Sequence, residues 1–239
     1  MNLALLFDED FVAPNRVVLR GRRLEHIKSV LGTSVGDQLP VGRVNGLMGL
    51  GNVVELTDSE VELVVVLDQQ PPAPLPLTLI LAMPRPKMFR RILQTSATMG
   101  VKDIWLINSY KVEKSFWQTP LLSDENLREN LTLGLEQAKD TGMPRVHIRK
   151  LFKPFVEDEL PALLKNKQAL VAHPGTSTVC PTHLNRAAAL CIGPEGGFTP
   201  YEVGKLKDAG CQSVHLGPRI LRVETAVPVL VSRLFDACL

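Results

Sequence analysis

Over the first seventy residues, apolar and polar positions alternate in short runs, and that period-two pattern predicts β-strands. Residues 17–20, 37–42, 52–56 and 61–68 carry it, separated by turn signals at Gly36-Asp37 and Asn45-Gly46. The expected product is a small β-barrel or sandwich, with a single helical turn over residues 26–31 between its first strands. The run Asn45-Gly46-Leu47-Met48-Gly49-Leu50-Gly51 reads as a flexible hairpin. Residues 69–76 then hold four prolines in eight positions, which favours an extended chain and cannot continue a ladder. Two domains are expected on this basis, residues 1–70 and 77–239, with a proline-rich linker at 71–76.

Beyond the prolines the pattern changes to strands alternating with helices, the signature of an α/β fold with a mainly parallel sheet. Strands are expected at residues 77–83, 104–107, 146–151, 168–173, 188–192 and 213–216. Helices are expected at 87–99, 124–139 and 154–164. The first of these carries Met88, Phe89, Ile92, Leu93, Ser96 and Ala97 on one face and ends at Gly100. A further helix is marked at its start by Thr199 as N-cap, Pro200 at the first helical position and Glu202 closing a capping box, and Gly210 stops it. The last helix is expected over 224–238, with Pro228 tolerable only in its first turn.

Composition narrows the class. The 239 residues are 45% hydrophobic and 22% charged with mean hydropathy +0.08, which excludes disorder, collagen and coiled coil. The formal net charge of +2 is unevenly spread. Arg16, Arg20, Arg22, Arg23, Lys28 and Arg43 form a local basic patch in an otherwise acidic first segment, and Arg85, Lys87, Arg90 and Arg91 lie close together later. These permit a phosphate-bearing partner and are equally compatible with a solvated surface. Cys180, Cys191, Cys211 and Cys238 form no C-x-x-C pair, so they read as buried or free thiols and no metal is expected. The apolar start has no basic leader or small-residue cleavage site. No apolar run reaches the ~18 residues of a membrane span, and a cytoplasmic protein is expected.

Two glycine-bearing loops follow apolar strands, where ligands bind in open α/β sheets. Gly193, Gly196 and Gly197 remove side chains beside the end of one strand, and Gly217-Pro218 shapes the second loop. Backbone groups there can approach a flat, uncharged, adenosine-like ligand. The plainer alternative is a pair of tight βα turns that need positive φ. No phosphate-cradling G-x-x-x-x-G-K-[ST] or dinucleotide G-x-G-x-x-G occurs, and no Ser-His-Asp arrangement can be assigned. Glu195, Arg219, Arg222, Glu224 and Thr225 are the polar neighbours. His173, ending a strand, is the best-placed histidine.

Ile192-Gly193-Pro194-Glu195-Gly196-Gly197-Phe198-Thr199 with Glu202, and the segment Leu216-Gly217-Pro218-Arg219-Ile220-Leu221-Arg222-Val223-Glu224-Thr225-Ala226, resemble the two signature motifs of the RsmE family. Members of that family are SPOUT-class methyltransferases that methylate N3 of a uridine in 16S ribosomal RNA with S-adenosylmethionine. The resemblance implies a PUA-like, RNA-binding β-barrel before a SPOUT domain, a C-terminal trefoil knot, a homodimer, and 16S ribosomal RNA or the small ribosomal subunit as partner. It places the cofactor among Ala172, His173, Gly193, Glu195, Gly196, Gly197, Leu216, Gly217, Ile220, Leu221, Arg222 and Ala226. RNA would lie along Arg16, Arg20, Arg22, Arg23, Lys28, Arg85, Lys87, Arg90 and Arg91.

Loss of the uracil N3 proton needs a base, or a cation at the carbonyl oxygen where charge develops. Arg222 is assigned the electrostatic role, and Glu224 or Glu195 that of base, with Glu195 alternatively a loop-shaping acceptor. Four positions depart from the family's pattern: Gly32 and Lys139 where it has arginine, Met99 in a segment one residue shorter, and Val223 in place of threonine. Methylation of another RNA base, or RNA binding without catalysis, are the alternative readings.

Overall fold

The computed structural model describes residues 2–236, so Cys238 and the end expected of the last helix lie outside the described residues. The chain forms two compact units, one comprising Met1–Ala73 with Thr132–Met143, the other Pro74–Leu131 with Pro144–Leu239.

The first unit is a six-stranded sheet curled into a half-barrel. Its strands are β1 (Ala4–Leu6), β2 (Phe11–Ala13), β3 (Arg16–Leu19), β4 (Gln38–Arg43), β5 (Met48–Leu56) and β6 (Val61–Gln69), in spatial order β1-β4-β5-β6-β3-β2. The pairs are antiparallel except for β1 with β4. Alternation along β6 sends Val61, Leu63 and Val65 inward, where they meet Val17, Leu19, Val41 and Val53. The helix α1 (Arg22–Ser29) adds Leu24 and Ile27 to this core, and it is two turns long where a single turn over 26–31 is expected.

The glycine-rich run forms the expected hairpin, joining β4 to β5. Its turn is confined to residues 44–47, and β5 begins at Met48. A Cβ on Gly49 would fall 1.9 Å from the Val66 carbonyl oxygen, so this glycine lets two strands meet closely at a register shift.

The second unit holds a six-stranded, wholly parallel sheet. It is built from β7 (Leu77–Ala82), β8 (Asp103–Ile107), β9 (Arg145–Arg149), β10 (Gln168–Ala172), β11 (Ala188–Ile192) and β12 (Gln212–Val214), in the order β12-β10-β11-β7-β8-β9. Every residue of the central strands β7 and β11 is buried, as a sheet covered on both faces requires. The longer helices are α2 (Pro86–Thr98), which buries Phe89, Ile92, Leu93, Ser96 and Ala97, and α3 (Asp124–Ala138), whose end from Thr132 groups with the first unit.

The single helix expected over 154–164 is instead α4 (Phe152–Pro154), a π-helical turn over Phe155–Glu159, and α5 (Leu160–Leu163). Pro161 has no N–H for the Glu157 carbonyl, which accounts for the break in the α-helical ladder there. Next comes α6 (Pro200–Asp208), with the expected Thr199–Glu202 capping box. The final helix, α7 (Val223–Leu234), ends at Phe235, which is extended. Pro228 stands at the sixth helical position rather than in the first turn, and the Glu224 carbonyl goes without its usual partner. Among the described residues, Cys180, Cys191 and Cys211 are free and buried.

Candidate active site

Three neighbouring strands of the parallel sheet, β10, β11 and β12, end beside one another, and their last residues Ala172, Ile192 and Val214 line a pocket of about 390 Å³. That is within the range of small-molecule sites and lies where open α/β sheets bind ligands. All twelve residues that the motif resemblance assigns to a cofactor line it, together with Phe198, His215, Arg219 and Val223. One face of α7, formed by Val223, Ala226 and Leu230, closes a side. Val223, the hydroxyl-less position, is a buried wall residue.

The glycines act in two ways. A Cβ on Gly193 would meet the Phe198 backbone N at 3.0 Å, and one on Gly196 would meet Lys111 Cδ at 2.9 Å, so both let the loop pack closely against its own neighbours. Gly197 and Gly217 have φ +69 and +122, conformations costly for any L side chain. The four glycines leave main-chain groups on the wall of a mainly apolar pocket, which fits an adenosine-like group held by main-chain contacts.

Glu202 organises the surrounding loops. Its buried carboxylate accepts the Thr199 N–H at 2.8 Å and hydroxyl at 2.9 Å through Oε2, and the Tyr110 N–H at 2.7 Å through Oε1. The next residue, Lys111, donates its Nζ to the Gly196 carbonyl at 2.7 Å. Glu195 Oε1 accepts the Arg85 N–H at 3.0 Å and so ties the glycine loop to the start of α2. On the far wall His215 Nδ1 accepts the Gly217 N–H at 3.0 Å and holds the second loop. In the sequence, the available signal for this contact is the place of His215 two residues before a glycine. His173 faces the pocket, and burial, followed by the charge of Lys207, holds its imidazole below the usual histidine range.

Of the three candidate catalytic residues, Arg222 and Glu195 line the pocket, and Glu224 is outside the lining. Arg222 is exposed and has no carboxylate partner among the described residues. A second hollow, about 820 Å³, lies behind the second glycine loop. Leu216, Arg219 and Leu221 belong to its wall and to the pocket's, and Met99 and the opposite side of α7 complete it.

The candidate RNA-binding cations divide sharply. Each of the five in the first unit is already in an ion pair: Arg16 with Glu62, Arg20 with Glu60, Arg22 with Glu136, Arg23 with Asp10 and Lys28 with Asp58; Arg43, the sixth cation of the same basic patch, pairs with Asp8. Glu136 is buried; desolvation pushes its carboxyl up while the Arg22 guanidinium opposes the shift. Arg85, Lys87, Arg90 and Arg91 on α2 are exposed and have no acidic partner among the described residues. Gly32 has φ +61 and Lys139 φ +55, so two of the departures from the family's pattern fall at left-handed turn positions. No group of three or more His, Cys, Asp or Glu is arranged to hold a metal among the described residues.

A parallel α/β sheet with a main-chain-lined pocket at its strand ends, preceded by a half-barrel, defines a two-unit protein that binds a small ligand at the carboxyl edge of the sheet. The chain belongs to the RNA methyltransferase family, whose domain its residues 71–235 match, and within it to the ribosomal RNA small subunit methyltransferase E group. It is 30% identical over 235 residues to the Treponema pallidum enzyme of that name, covering 95% of this chain and 87% of the other. Its fold is shared with the Neisseria gonorrhoeae ribosomal RNA small subunit methyltransferase E, solved bound to S-adenosyl methionine (TM-score 0.75, 20% identity, 97% of this chain and 95% of that one). A Legionella pneumophila protein solved in complex with the same cofactor is similar (TM-score 0.76, 21% identity, 97% and 96% coverage).

Proposed function

We propose that the protein transfers a methyl group from S-adenosylmethionine to N3 of a uridine in 16S ribosomal RNA. The observation that carries this reading is the pocket of about 390 Å³ at the ends of three parallel strands, lined by all twelve residues that the motif resemblance assigns to the cofactor. Most of these residues lie within motifs resembling those of a family whose relatives are named for this substrate class. When bound, S-adenosylmethionine supplies an electrophilic methyl group.

The chain's residues supply position and charge. Backbone groups of Gly193, Gly196, Gly197, Leu216 and Gly217 would hold the cofactor, with Ala172, His173, Ile220, Leu221 and Ala226 supplying the rest of the wall. Enclosure by Phe198 and Leu230 keeps water from the donor. The Arg222 guanidinium stabilises the negative charge that develops on a uracil carbonyl oxygen as N3 loses its proton. Glu195 Oε2, the oxygen that Arg85 leaves unused, takes that proton and passes it to solvent; Glu224, outside the lining, has no part in the step. Pairing of two chains through the C-terminal region, threading of α7 as a knot, RNA contact by the half-barrel and action on the small subunit in the cytoplasm belong to the same reading.

Calorimetric titration with S-adenosylmethionine tests it. Saturable binding is expected in the wild type and its loss in Gly196→Arg, while the melting temperature stays close to wild type because the obstructing atom is the flexible end of Lys111. Absence of binding at millimolar donor contradicts the proposal.

A further inference from the structure

Aromatic residues are scarce here: eight Phe, two Trp and two Tyr. Among the described residues only the two tyrosines are strongly exposed, Tyr110 at 85% and Tyr201 at 58%. Isolated apolar groups on a surface need no explanation in general. These two share an anchor. Glu202 holds the Tyr110 N–H at 2.7 Å, and Tyr201, whose ring has Lys205 Nζ over one face at 5.9 Å from the centroid, immediately precedes Glu202 in the first turn of α6.

The segment carrying Tyr110 is fixed a second time by Lys111, whose Nζ reaches the Gly196 carbonyl at 2.7 Å. The segment is thus held by Glu202 and, through the Lys111 side chain, by the pocket residue Gly196, while the Tyr110 ring stands in solvent without an aromatic or cationic neighbour among the described residues. Such a ring contributes little to the core and presents an open π-face one residue from the lysine that holds the glycine loop.

Uridine N3 lies on the pairing edge, so the target nucleotide must be unpaired when it reacts, and unpaired bases bind by stacking on aromatic faces. We propose that Tyr110 and Tyr201 are base-stacking residues that receive the unpaired RNA bases flanking the target nucleotide. This rests on the reading of the pocket as that of an RNA methyltransferase. The exposed, carboxylate-free Arg219 on the second glycine loop supplies charge for the adjoining phosphates. Both tyrosines are positioning residues: they set where the RNA lies, and the chemistry is left to the groups inside the pocket.

The test is equilibrium binding of a fluorescein-labelled oligouridylate of about ten nucleotides to the full chain and to Tyr110→Ala, Tyr110→Phe and Tyr201→Ala. An abasic ribose-phosphate oligomer of equal length serves as the control. Each alanine variant is expected to lose about 5- to 150-fold in affinity for oligouridylate, the range seen when one stacked base is lost. Tyr110→Phe, which keeps the ring, stays within about twofold on the same ground, and the abasic oligomer binds all four proteins alike.

Unchanged oligouridylate binding in both alanine variants overturns the proposal. So does a loss in Tyr110→Phe equal to that in Tyr110→Ala, because the hydroxyl and not the ring would then be responsible. An equal loss on the abasic oligomer also overturns it, because phosphate contact or a folding defect would explain the effect. Donor titration on the same preparations separates the two readings. A wild type that binds no S-adenosylmethionine ends the methyltransferase reading, whereas stacking is decided by the oligonucleotide series alone.

Discussion

His173 follows the last residue of β10 and faces the pocket, where desolvation and the charge of Lys207 both disfavour its protonated form. Its folded-state value lies below the ordinary 6.5, so the folded chain binds this proton less readily than the unfolded chain. The resulting contribution to stability is present above pH 6.5 and is lost as the pH falls through the lowered value. An NMR titration of the imidazole should give a midpoint below 6.5, rising toward it in Lys207→Ala; a wild-type midpoint at or above 6.5 contradicts the account. At this scale the sequence motifs found the pocket's lining because the relevant backbone lies in two short continuous runs. They missed Tyr110 because its tie to the site, the bond from its N–H to Glu202, spans 92 positions and leaves no local pattern. They named Glu224 beside Arg222 because neighbours in sequence share a motif, yet Arg222 is the extended residue capping α7 and Glu224 lies within the helix, and only Arg222 reaches the pocket.

Among the elements, α6 illustrates how a local signal acquires a distant function. Thr199, Pro200 and Glu202 specify a helix start, and the structure uses the same Glu202 carboxylate to hold the Tyr110 loop. Glu202→Ala leaves three donors without their acceptor and is expected to cost about 3 kcal/mol in urea denaturation. Glu202→Gln, which keeps one acceptor oxygen, should lose less; equal stability of Glu202→Ala and wild type would contradict this role. The strands β7 and β11 were legible because unbroken apolar runs mark the centre of a parallel sheet. The strands β1 and β2 were not, because three-residue elements carry too little periodicity to register. The division of 152–163 into α4, a π-turn and α5 was legible only in hindsight through Pro161, since apolar spacing does not count missing N–H groups.

For the whole molecule, charge is the informative quantity. The first unit carries seven Lys and Arg against twelve Asp and Glu, the second twenty against thirteen. Exposed ion pairs are weak individually, at about 0–1 kcal/mol, but a cation that trades its carboxylate for a phosphate leaves the carboxylate nearby to repel it. The basic stretch read from sequence between Arg16 and Arg43 is therefore neutralised by acids brought from elsewhere in the unit, which linear charge counting cannot see. The cations on α2 remain available. Replacing Arg90 and Arg91 by Gln should reduce the slope of log affinity for single-stranded RNA against log salt by about 0.7 per cation lost. Replacing Arg20 and Lys28 by Gln should change it little. A larger effect from the second pair, measured by fluorescence anisotropy across a salt series, would return the electrostatic contact to the half-barrel.

The loop from Leu216 to Leu221 is a partition between two chambers: Leu216, Arg219 and Leu221 are seen from the pocket on one side and from the larger hollow on the other. The partition is one residue layer thick at these three positions, so its two faces cannot be redesigned separately. Shortening Leu216 or Leu221 removes wall from both chambers at once, and any side chain chosen to fit the pocket is also a side chain of the hollow.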